Sequence, residues 1–131
     1  MPNRKRRSEG GQTMTEFAVV LPILAFVLFA IMQFGITFNN YLSLTDAVRA
    51  GARTAAVSRT AADPVGTTTA KVKAAAADLN TSNVTVTVTA SGGWIAGQDV
   101  TVNATYPYSI SLFGLVIKSG NLSSSTTERI E

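Results

Sequence analysis

Neither cysteine nor histidine occurs anywhere in this chain. Their absence removes thiol and imidazole nucleophiles, disulfides and the usual zinc sites in one step. It is compatible with an oxidising compartment without requiring one. Carboxylates are sparse beyond the N-terminus: Asp46, Asp63, Asp78 and Asp99 are scattered and form no constellation that sets up acid–base chemistry. No stretch resembles a phosphate-binding loop, and no internal repeat of useful length is present. These absences argue against an enzyme, and the chain carries no candidate catalytic residue, metal ligand or cofactor site.

Basic residues are also few once their positions are considered. The formal charge is +3, but four of the eleven basic residues and one of the eight acidic ones lie in the first eleven positions. Beyond them seven of each remain, and the net charge is zero. The basicity is a local address, Arg4-Lys5-Arg6-Arg7, rather than a patch on a folded face. Nucleic-acid binding calls for Lys and Arg clustered on the folded domain. The densest such group here is Arg49, Arg53 and Arg59, so a nucleic-acid partner is not expected.

What the chain does have is one long apolar run. Residues 17–38 contain only Gln33 and Thr37 as polar side-chain interruptions. As a helix of 1.5 Å rise per residue this run is about 33 Å long, enough for a hydrocarbon core of about 30 Å. The basic cluster before it predicts a cytoplasmic N-terminus, with residues 39–131 outside the cytoplasmic membrane. A cleaved secretory signal has a shorter apolar region and a small-x-small site, and residues 36–40 offer none. An uncleaved signal anchor accounts for the length and the charges. Pro22 removes a backbone hydrogen bond, so it either kinks the helix near its start or is simply tolerated in lipid. Gly35 is the one glycine in the run and would allow close helix approach, although pairing motifs use two small residues.

Between the basic cluster and the apolar run stands Gly11-Gln12-Thr13-Met14-Thr15-Glu16-Phe17. A glycine, four residues, then a glutamate at the mouth of a hydrophobic helix resembles the processing site of type IV prepilin-like proteins. The resemblance implies cleavage after Gly11, leaving Gln12 as the mature N-terminus. Glu16 would then lie four residues from a free amine, on the same helical face. A neighbouring subunit's amine could pair with it equally well. An acidic residue beside a membrane run is a functional candidate in its own right, because charge is expensive near hydrocarbon. The plainer reading is an interfacial carboxylate favoured by the helix dipole. Gly11 offers a peptidase no side chain to clash with, and Gly10-Gly11 is expected to interrupt the helix there.

Past the run, residues 39–59 read as a continuation of the helix. Tyr41, Leu44, Val48, Ala52 and Ala55 recur at helical steps, Asp46 can pair with Arg49, and Arg49 and Arg53 share a polar side. Asp63-Pro64 stops this helix and starts another, expected over residues 67–79, with Lys71 and Lys73 solvated. Residues 80–83 read as a turn. Residues 84–89 alternate Val and Thr strictly, which predicts a half-buried strand with valines inward. A glycine-rich loop carrying Trp94 leads to a second strand over residues 99–106, ended by Pro107. Residues 110–117 are apolar but too short to span a membrane. They read as a core segment, with contact to lipid or an assembly partner as the alternative. Residues 121–130 make a third strand, suited to a sheet edge. The fold class is α+β: a long N-terminal transmembrane helix extended outside the membrane, a short second helix, and a small antiparallel sheet of about three strands. The expected organisation is a leader over 1–11, the helix over 12–60, and a small extracytoplasmic domain over 61–131.

Two blocks of residues carry a more specific resemblance. Thr15-Glu16-Phe17-Ala18-Val19-Val20-Leu21-Pro22 resembles the opening of the TadE-like family of tight-adherence pilus systems. Tyr41, followed by Ala47-Val48-Arg49-Ala50-Gly51-Ala52-Arg53, resembles that family's second block. The resemblance implies a minor pilin or pseudopilin of a type IVc adhesive pilus, cut by a prepilin peptidase. It implies as partners the major pilin, a TadF-like sister pseudopilin and the inner-membrane assembly platform, along with membrane lipid. Phe17 stands where major pilins commonly carry tyrosine. Gly51 has two readings, a tight-packing position or merely a small residue at a helix contact. Arg49 and Arg53 either hold acidic partners or lipid phosphates, or are solvated. The rival to this reading is a membrane-tethered binding module or adhesin, with Trp94 as an exposed stacking residue.

Overall fold

The computed structural model describes residues 6–112 and 114–131, with backbone alone for residues 6–10. The side chains of the basic cluster at residues 4–7 therefore lie outside the described residues. One helix dominates: α1 runs Arg6–Val57. It passes through Pro22 without a break in its assignment. It also passes through Gly10 and Gly11, contrary to the expected interruption. Each glycine costs about 1 kcal/mol relative to alanine in a helix. That is not enough to stop a helix already propagating from a strongly helical run. The continuation beyond the apolar run is as the periodicity of residues 39–59 predicts, except that Tyr41 is exposed.

Helix α2 spans Pro64–Ala75, starting and ending earlier than the sequence suggests. Asp63 sets the start. Its carboxylate accepts from the Gly66 amide at 2.9 Å, and Pro64 fills the first turn, where no amide donor is needed. The expected turn after it is a 3-10 turn, Thr81–Asn83, with the Asn80 side chain accepting from Ser82.

The sheet has strands β1, Thr85–Ala90, β2, Asp99–Leu112, and β3, Leu115–Arg129, in the order β1-β2-β3. All pairs are antiparallel. Pro107 does not end β2; the strand continues to Leu112. The register explains this, because β1 stops opposite Thr105. From Tyr106 onward β2 has one free edge, where a proline costs no ladder bond. Across the sheet Tyr108 pairs with Gly120, and its ring lies over the glycine.

The core lies between the sheet and the second half of α1. Leu44, Ala47, Val48, Ala52 and Ala55 meet Val100, Val102, Ala104 and Ile130, with Val72 of α2 and Ala76, the residue that caps its end, alongside. The valines of β1 are half-buried, as alternation predicts. The C-terminus closes the core: Ile130 is buried, its amide donates to Gln98 O at 2.8 Å, and the Glu131 amide donates to Ala56 O at 3.0 Å. That last bond satisfies one of the orphan carbonyls at the end of α1.

The apolar segment at residues 110–117 corrects an expectation. Leu112 is buried, but Leu115, Val116 and Ile117 are among the most exposed large hydrophobic residues of the molecule. They are not core. They form the tip of the β2–β3 hairpin, turned at Gly114 with φ +83°.

Candidate functional site

The segment at residues 11–17 is one exposed helical stretch. Gln12 and Glu16 share a face: Gln12 Nε2 donates to Glu16 Oε1 at 3.0 Å. Thr15 Oγ1 donates back to Gly11 O at 2.9 Å. Nothing lies within 4 Å of a Cβ built at Gly11. The peptide after Gly11 is therefore open to an enzyme on its side-chain side, while being held in helical geometry. Phe17 is exposed, the first of a continuous apolar surface.

That surface runs the length of the span. The helix is long and apolar enough to cross a membrane, and none of its most apolar window is buried inside the molecule. Apolar area of this extent does not remain in water. Gly35 opens onto free space, and Pro22 is likewise exposed. Phe34 and Phe38 stack, with ring centroids 6.1 Å apart.

One narrow stripe of α1 is not bare. Gln33, Thr37 and Asn40 are half-buried, and the same stripe continues into buried Leu44, Val48, Gly51 and Ala55. The two polar residues of the apolar run thus face the β domain. Gln33 Nε2 donates to the Ser111 carbonyl at 3.2 Å, and Thr37 Oγ1 donates to Gln33 O at 3.0 Å. Gln33 is the functional candidate that sequence reasoning missed. The signal was there, since Gln33 and Thr37 are four residues apart and in phase with Leu44 and Val48.

Farther along, Gly51 is buried where α2 crosses α1. A Cβ there would collide with Val72 Cγ2, and Val102 Cγ1 is in contact on the other side. Arg49 and Arg53 both face solvent. Arg49 Nη1 lies 3.4 Å from Asp46 Oδ1, an exposed pair that contributes little to stability. Trp94 is half-buried and packs against the core rather than standing free on its loop.

Comparison with known families bears on this helix directly. The family model described as TadE-like protein matches residues 11–53. This segment is similar to the TadE-like family. It takes in Gly11, Glu16, the apolar run and the Arg49-to-Arg53 block, about a third of the chain. Comparisons with curated proteins and with solved structures give no match. A TadE-like segment on a helix fit to cross a membrane suits a membrane protein associated with the Tad pilus.

Proposed function

We propose that this protein is a minor pilin or pseudopilin of a tight-adherence pilus, cut after Gly11 by a prepilin peptidase and acting in pilus assembly. The observation that carries the reading is the TadE-like match beginning at Gly11, on a helix whose apolar surface is uncovered. In this mechanism α1 first stores the subunit in the cytoplasmic membrane, with its N-terminus in the cytoplasm. It then packs against helices of the major pilin and a TadF-like sister, on the inner-membrane assembly platform. The role is structural rather than catalytic.

The geometry suggests how processing works. The bond after Gly11 is helical, whereas a peptidase needs an extended chain. Two adjacent glycines make local unwinding cheap at that point. Cleavage exposes the Gln12 amine, one helical turn from Glu16. The Gln12 amide now occupies that carboxylate. A neighbouring subunit's amine, being charged, makes a stronger hydrogen bond and would displace it. Glu16 so sets the axial register of one helix against the next.

A genetic test follows. Cells carrying Glu16→Ala should produce cleaved, membrane-bound protein at normal abundance but lose pili, counted by electron microscopy. Normal piliation in that strain sinks the register role.

A further inference from the structure

The β2–β3 hairpin is longer than the domain needs. Beyond Tyr106 it has left β1 behind, and its tip reaches back along α1 to Gln33. Ser111, Leu112 and Gly114 line a small groove together with Phe29 and Gln33. These contacts fix the depth of the tip. Gln33 is five residues inside the distal end of the apolar run and Phe29 nine, or about 7 Å and 13 Å along the helix axis. Half a hydrocarbon core is about 15 Å.

We propose that the hairpin tip, carried by Leu115, Val116 and Ile117, is embedded in the lipid hydrocarbon beside α1, in the leaflet nearest the β domain. The proposal rests on α1 being the membrane span, and adds to it a second, non-spanning membrane contact.

Three independent observations support lipid as the occupant. First, Leu115, Val116 and Ile117 are consecutive and are 73%, 63% and 62% exposed. Successive strand residues point to opposite faces, so both faces of the tip are apolar and bare. A hairpin resting on a protein surface in water would keep one face polar. The bare tip is also continuous with the uncovered apolar surface of α1 around Phe29.

Second, the backbone is prepared for a medium without water. Hydrocarbon tolerates a hairpin only where its amides and carbonyls are satisfied by protein. The ladder satisfies most of them up to the closing pair Leu112↔Leu115. It is irregular at one place, the register shift between Ile110 and Ser111. The Ser111 carbonyl at that shift receives the Gln33 side-chain amide. A glutamine inside a membrane run is expensive unless it has such a partner. The bulge and the glutamine explain one another.

Third, the charge pattern fits. Between Asp99 and Glu128 the only charged residue is Lys118, which follows the tip directly. Lysine can lay its stem along the hydrocarbon edge and place its ammonium among headgroups, as a carboxylate could not. Tyr41, three residues past the apolar run, and Tyr108, four residues before Leu112, are residue types suited to the membrane interface.

The chain has no cysteine, so each introduced one is unique. Full-length protein bearing Val116→Cys, Leu115→Cys, Ile31→Cys or Ser123→Cys is labelled with an environment-sensitive fluorophore. Each is reconstituted at low protein-to-lipid ratio in phosphatidylcholine–phosphatidylglycerol vesicles containing lipids spin-labelled high or low on the acyl chain. The Ile31 label reports the span and the Ser123 label the solvated sheet. The expected result is loss of most emission at Ile31, Val116 and Leu115 and none at Ser123. The tip labels should respond to the two spin labels in the same proportion as the Ile31 label, which lies between Phe29 and Gln33 on α1. Quenching at Ile31 with none at Val116 and Leu115 overturns the tip insertion and leaves the span standing. No quenching at Ile31 overturns the span, and the tip proposal with it. Tip emission that is blue-shifted, unquenched by lipid and dependent on protein density marks a protein surface as the occupant and also overturns the proposal.

Discussion

Gly51 sits at a close helix–helix contact, where Val72 of α2 occupies the space a Cβ would need. The helix tolerates a glycine there, at a cost of about 1 kcal/mol against alanine, because no larger residue lets α2 approach. Gly51→Leu must push Val72 away and disturb Val102 behind it, and overpacking of this kind costs about 1–3 kcal/mol. The expected outcome is a marked drop in abundance in the membrane fraction, read by quantitative immunoblot. Wild-type abundance would show that α2 yields without cost. Gln33 is the other residue whose meaning is set by placement. In the sequence it is an interruption of an apolar run. In the fold it is the donor for a carbonyl 78 residues away.

The elements of this fold depend on a few end positions. The C-terminus is one of them, since Ile130 is buried in the core and its backbone joins Gln98 and Gly97 on both sides. Ile130→Ala should destabilise the domain by about 2–5 kcal/mol, the usual range for emptying a buried site of this size. Denaturation in detergent, followed by fluorescence of the single half-buried Trp94, measures it; a loss under about 1 kcal/mol would mean the site collapses around the smaller side chain. Elements with strong periodicity were legible before the structure. The helical steps from Leu44 to Ala55, the Val–Thr alternation of β1 and the Asp63-Pro64 start of α2 all carry local signals. The errors came where the deciding partner is distant. Pro107 reads as a strand end unless it is known that β1 has already stopped opposite Thr105. Residues 110–117 read as core because apolarity records that a segment avoids water, without recording what covers it. Gly10 and Gly11 read as a break, because a propensity is local while helix propagation is not.

At the scale of the whole molecule, a small α+β unit is built directly onto the end of a helix whose apolar run is bare except along the stripe of Gln33 and Thr37. The core draws on α1 as heavily as on the sheet, so the domain and the span are mechanically one piece. A displacement of α1 among its neighbours would carry the sheet with it. This suits a subunit stored in a bilayer and later packed by its helix into an assembly, which is the role proposed for it. Everything in that role turns on whether the bond after Gly11 is cut. The most direct test is the intact mass and N-terminal peptide of the membrane-extracted protein, from cells with and without the prepilin peptidase. A chain beginning at Gln12 when the peptidase is present, and at Met1 or Pro2 when it is absent, is the predicted result. A chain that keeps Met1 or Pro2 in the presence of the peptidase, or one that begins beyond Phe38, would contradict it.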